Sequence, residues 1–167
     1  MVSISYPLVK SLTGLTKVIL YDNLVLLKIP MRKYPSDYVI YKGPVYTVEW
    51  YYTQDGKMPA YEYFKDMEEK YQDRFLYMVK YLADSSKGTR LPATMYNLED
   101  RAEKVYAFKP GAERLFNFMY RGGKVIITNA YRKHSQRMDK KDKEKLKVAA
   151  KYKRDYLKRV KEGTYYG

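Results

Sequence analysis

The chain has 167 residues, with Lys+Arg 33 against Asp+Glu 19 and a formal net charge of +14. It has no cysteine and one histidine, His134, which excludes a disulfide framework, thiolate metal sites, a cysteine nucleophile and His-rich metal centres. A hydrophobic share of 46% is enough to build a core, and the length suits one domain with an appendage.

The apolar stretch Leu15–Ile29 is interrupted by Lys17, Asp22, Asn23 and Lys28. It falls short of the ~20 apolar residues that span a bilayer, and no small-residue cleavage site follows it. It reads as two strands, Lys17–Tyr21 and Leu24–Ile29, turned at Asp22-Asn23. Pro30 and Pro35 punctuate a connector to Gly43-Pro44, so residues 1–43 are expected to be a hairpin and linker and residues 44–167 the main domain.

The main domain opens with Val45–Tyr52, whose alternation marks a strand with two faces. Gln54–Lys57 is a turn, and Pro59 fits a first helical turn. Apolar spacing predicts helices over 59–69 and 71–84. The carboxylates in this region, from Glu49 to Asp73, admit two readings, a metal site or solvated helix faces; their spacing favours the second. After a loop at Ser85–Thr89 come three strands, Lys104–Lys109, Glu113–Arg121 and Lys124–Tyr131. Pro110-Gly111 and Gly122-Gly123 separate them and impose antiparallel pairing. In the last strand Val125, Ile127 and Asn129 are expected on one face, Ile126, Thr128 and Ala130 on the other. A final helix runs from about Asp139, a candidate N-cap, to Lys161, docking through Leu146, Ala149, Ala150, Tyr156, Leu157 and Val160. The expected fold is α+β: order β-α-α-β-β-β-α, helices against one face of a small antiparallel sheet, plus the N-terminal hairpin.

Charge is concentrated at the end of the chain. Between residues 131 and 161 fourteen bases stand against four acids, ten of the fourteen net positive charges. That excess points to a polyanion, nucleic acid or an acidic membrane surface. The final helix has no Trp or Phe on its apolar face, which favours nucleic acid over membrane. Twenty-one tyrosines can stack on unpaired bases or simply fill the core. Phosphate-loop, zinc-protease, serine-elbow and dinucleotide motifs are all missing from the sequence.

Three strings then stand in register before a basic helix: Lys104-Val-Tyr-Ala-Phe-Lys109, Arg114-Leu-Phe-Asn-Phe118, and Val125 through Tyr131-Arg132-Lys133-His134 to Arg137. Tyr156-Leu157 follows where a helix-ending Tyr-Leu falls. Together they resemble the RelE/HigB superfamily, the toxins of type II toxin–antitoxin systems, and within it the HigB-like, phage-associated branch. The resemblance covers residues 45–161 and implies a RelE-like fold. It implies a cytoplasmic, metal-independent endoribonuclease, with no cofactor, that cuts mRNA on the ribosome. The 2′-OH attacks the adjacent phosphate and leaves a 2′,3′-cyclic phosphate. Its implied partners are mRNA, the ribosome (16S rRNA) and a cognate antitoxin. The alternative is a non-catalytic RNA- or DNA-binding protein on the same fold.

The resemblance also implies roles for residues. Such chemistry needs charge stabilisation at phosphorus, a proton acceptor and a proton donor. Arg114 matches the motif's strand arginine, whose planar fork suits two phosphate oxygens; the other reading pairs it with Glu113 or Glu103. Lys109 stands where the motif Tyr-Glu-Leu-Arg has its arginine, and Ala107 where it has its glutamate. Lys133 and His134 match a Lys-Lys pair, and an imidazole exchanges protons at neutral pH; the other reading leaves His134 an exposed bystander. Tyr131 takes the aromatic position, for core packing or base stacking. Lys104, Arg132, Arg137, Lys140 and Lys141 complete the expected RNA-binding set.

Overall fold

The computed structural model describes residues 8–11, 16–20, 27–30, 37–86 and 90–166. The chain divides into two compact units, Met1–Lys33 and Tyr34–Gly167. In the first, β1 (Leu8–Ser11), β2 (Thr16–Leu20) and β3 (Leu27–Pro30) form an antiparallel meander. Thr16 stands opposite Pro30 and Ile19 opposite Leu27. The expected pair of strands is present, extended by a third; its turn at Asp22-Asn23 lies outside the described residues.

The second unit runs β4 (Val39–Lys42), β5 (Thr47–Trp50), α1 (Pro59–Lys65), α2 (Glu69–Asp84), β6 (Tyr96–Asp100), β7 (Val105–Phe108), β8 (Glu113–Tyr120), β9 (Lys124–Arg132) and α3 (Lys140–Lys161). Its sheet has the order β4-β5-β9-β8-β7-β6. The α+β class and the helix–helix–meander–helix sequence are as expected, but three details differ. β4 and β6 are additional edge strands; β4 lies inside the stretch read as a linker. Both are short and carry a register shift, so neither shows a clean alternation. The sheet is mixed, because β5 pairs parallel with β9. Two helices and the meander separate those strands in sequence, and such a crossover allows parallel pairing.

The third difference is that helices cover both faces. On one, α1 and α2 bury Phe75, Met78, Val79 and Leu82 against Trp50, Phe108, Leu115, Val125 and Ile127. On the other, α3 buries Leu146, Ala149 and Tyr156 over Val105, Phe116, Phe118, Ile126 and Tyr131. Of the docking residues expected on α3, Leu157 is exposed instead. Tyr51, Tyr52, Tyr156 and Tyr165 are all buried in the α3-side core, and Tyr52 and Tyr165 stack at 4.2 Å. These tyrosines fill the core and present no face to a base.

Local chemistry explains the helix ends. Gln72 Nε2 donates to the carbonyls of Phe64, Lys65 and Met67, satisfying the acceptors left open where α1 stops. Asp139 caps α3 as expected, in a reciprocal box with Asp142.

A bulge decides the end of β9. Phe116 stands opposite Asn129, but Asn117 opposite Ile127, so Thr128 is the extra residue. Its hydroxyl donates to the carbonyl of Phe116 (3.2 Å). Beyond the bulge the alternation is inverted. Val125 and Ile127 face α1 and α2, whereas Asn129 bonds the Lys145 carbonyl of α3 and Tyr131 packs on Phe116. The expectation that Asn129 shares a face with Val125 and Ile127 is thereby corrected.

Candidate functional site

The inversion places Tyr131 beside Arg114, its cross-strand partner on β8. Gly111, with φ +65, turns the chain into β8, and Arg114 Nη1 donates to the carbonyls of Gly111 (3.0 Å) and Glu113 (2.8 Å). Among the described residues no carboxylate pairs with it: Glu113 takes Arg132, and Glu103 takes Arg154. Among the described residues its Nε and Nη2 make no hydrogen bond, which leaves a guanidinium edge for an anion.

Tyr131 is 5% exposed, and its hydroxyl donates to Asp142 Oδ1 at 2.7 Å. Burial, and then that bond, push the phenol well above its ordinary range. Asp142 also accepts from Lys133 Nζ and from the backbone N–H of Asp139. Burial alone would raise its carboxyl, but the hydrogen bonds from Lys133, Asp139 and Tyr131 outweigh it and hold the pKa low. Lys133 is thus held in a buried ion pair, and Tyr131 offers no ring face to a base. Lys109, half-buried, pairs with Glu99 at 2.9 Å.

The remaining expected residues separate into two groups. Arg132, next to Tyr131 in sequence, points to the opposite face, where it pairs with Glu113 (3.0 Å) and Glu68 (3.6 Å). It does not join Arg114. His134, Arg137, Lys140 and Lys141 are exposed on the loop after β9 and the first turn of α3, and Lys104 is exposed at the start of the meander with a left-handed φ of 51. The His134 side chain makes no hydrogen bond among the described residues.

Glu99 is the residue that sequence reasoning missed. It sits on β6, a strand without a clear period. Its carboxylate is felt electrostatically by Tyr131, as is Arg114. It also lines a cleft of about 590 Å³ whose other wall is α3, through Lys143, Lys147 and Arg154. Asp100, Glu103 and Arg101 line the same cleft, so acids and bases face each other across it, and Glu99 is itself paired with Lys109.

Not all bases on α3 serve that surface. Arg159 is 7% exposed, donates to the Tyr52 carbonyl (2.7 Å) and pairs with Asp155 (3.1 Å). Lys153 reaches the Glu103 carbonyl, and burial lowers its pKa. Of the carboxylates from Glu49 to Asp73, all but Glu49 are exposed. Glu49 is buried against Lys124 (2.7 Å) and Tyr166.

A family model described as Phage derived protein Gp49-like matches residues 62–151, from α1 to the middle of α3. Among curated proteins, none matches this chain. No helix among the described residues is long and apolar enough to cross a membrane.

Proposed function

This chain belongs to the phage-derived Gp49-like family, and on that footing we propose that it is the toxin of a toxin–antitoxin pair, acting as a RelE/HigB-type endoribonuclease. The family is associated with toxins of such systems, and that association makes a cognate antitoxin the expected partner. The proposed substrate is mRNA in the ribosome, cut without a metal by attack of the 2′-OH.

The observation that carries the reading is Arg114. Its guanidinium is anchored by two backbone carbonyls through Nη1, and its other donors meet no acceptor among the described residues. Such a fork stabilises the charge on a pentacovalent phosphate. His134 exchanges protons with the attacking or leaving oxygen from the adjoining loop. Lys133 and Asp142 hold that loop, while the charge of Lys109 is taken up by its pair with Glu99.

The test is induced expression of wild type and Arg114→Ala, with growth and primer extension on a reporter mRNA. Growth arrest with mRNA cuts, both lost in the variant, supports the toxin. No arrest from a folded wild type sends the reading to a non-catalytic nucleic-acid-binding protein. The ion pairs that already engage Lys109 and Lys133 favour that second reading.

A further inference from the structure

Along α3 the exposed cations Lys140, Lys143, Lys147, Lys151, Arg154, Lys158 and Lys161 recur at intervals of three or four residues. At ~3.6 residues per turn they occupy a strip about 80° wide, and at ~1.5 Å per residue the strip runs about 31 Å. The opposite side of the helix carries Leu146, Ala149 and Tyr156 into the core, so the row is held straight and in place. Arg154 pairs with Glu103 at 2.8 Å, and Lys158 lies 4.0 Å from Glu162. The other five make no ion pair among the described residues.

No aromatic side chain stands on the strip. Tyr152 is stacked on Tyr51 (4.7 Å), and Tyr156 is buried. Unpaired bases therefore have nothing to stack on. A membrane has no apolar wedge to take up along the strip. What remains is a row of charges of fixed spacing. Such a row favours a partner whose phosphates are already fixed in space, because ordering a flexible strand along it costs conformational entropy. A double helix holds its phosphates in that way, whereas a single strand does not.

We infer that this strip docks along the phosphate backbone of double-helical RNA, without regard to sequence, and that it extends past the cleft through Lys151, Lys158 and Lys161. The choice of RNA over DNA rests on the ribonuclease reading above.

The experiment is fluorescence anisotropy of the full chain with a labelled RNA duplex longer than the strip, between about 50 and 200 mM salt. Matched single-stranded RNA, a DNA duplex and poly-glutamate are the comparison probes. Seven neutralised phosphates give a slope of log affinity against log salt near −6, or about three and a half orders of magnitude over that range. The triple variant Lys151→Gln/Lys158→Gln/Lys161→Gln flattens the slope by about 0.9 for each cation removed. The control Lys57→Gln/Lys65→Gln/Lys70→Gln leaves it unchanged. Equal flattening by the control overturns the proposal, since net charge alone would then act. Tighter binding of single-stranded RNA, of the DNA duplex or of poly-glutamate overturns it too. Growth arrest and cutting fail independently. If they are missing while the slope behaves as stated, the ribonuclease reading falls and the surface stands. Cutting that persists with a slope insensitive to the triple variant removes the surface alone.

Discussion

The phenol of Tyr131 donates to the carboxylate of Asp142 across 2.7 Å, joining the last strand to the first turn of the last helix. The same carboxylate takes the ammonium of Lys133 and closes the capping box with Asp139. One buried acid thus fixes β9, the loop that carries His134 and Arg137, and the start of α3.

Asp142→Asn is expected to cost about 3 kcal/mol, because it leaves Lys133 in a half-buried place without its counter-charge. The folded-state pKa of Asp142 is depressed. Its stabilisation is therefore present above the ordinary carboxylate pKa and is lost as pH falls through the folded value. Urea denaturation should show a full difference between wild type and variant at pH 7 that narrows below about pH 4. A constant difference down to pH 2 would contradict this assignment.

Arg159→Ala should destabilise the fold by about 2–4 kcal/mol, because its guanidinium is buried between Tyr52 and Asp155 and covers the Tyr165 ring at 4.6 Å. Lys151→Ala, on the exposed strip of the same helix, should stay within about 0.5 kcal/mol of wild type. Thermal unfolding of the two proteins compares them directly. Equal effects would mean that α3 is not docked as described.

Gly111→Ala should be costlier than Gly122→Ala. Both residues have positive φ, +65 and +78, so each alanine meets about 1–2 kcal/mol of backbone strain. At Gly111 the added carbon would also lie 2.4 Å from the Tyr71 ring, whereas at Gly122 nothing stands within 4 Å. The Gly111 carbonyl anchors Arg114, so Gly111→Ala should weaken mRNA cutting as well as stability. Gly122→Ala should affect stability only, with cutting measured by primer extension.

Arg114→Ala should lower cutting by a factor of about 10²–10³, the usual effect of removing one donor to a developing anion. Arg114→Lys should recover part of it, since charge is kept and the planar fork is lost. His134→Asn should reduce cutting while leaving the unfolding midpoint unchanged, because that side chain is exposed and makes no hydrogen bond among the described residues. A wild-type cutting rate in both Arg114 variants would remove the proposed site.

Much of the architecture was legible along the chain. The helices, the three meander strands and the Asp139 cap follow from apolar spacing, Pro59, the Gly111 and Gly122-Gly123 turns and the position of Asp139 before the last helix, all of which act within a turn or two of chain. Of the expected site residues, Arg114 and Tyr131 stand opposite each other on β8 and β9, and Lys133 shares the Asp142 carboxylate with Tyr131. Arg132 misled because its neighbour in sequence lies on the other face. Glu99 was hidden in a five-residue edge strand whose period cannot be read.

What the sequence by itself determined is therefore local: where helices begin and end, which strands must pair antiparallel through tight turns, and where the positive charge lies. Only the tertiary structure decided that β5 runs parallel to β9, that α3 covers the face opposite α1 and α2, and that Thr128 bulges out to place Tyr131 beside Arg114. The reason is physical. These choices depend on packing and hydrogen bonds between residues far apart in sequence, and the two strand registers differ by a single residue, whose cost is set by the whole core rather than by any local window.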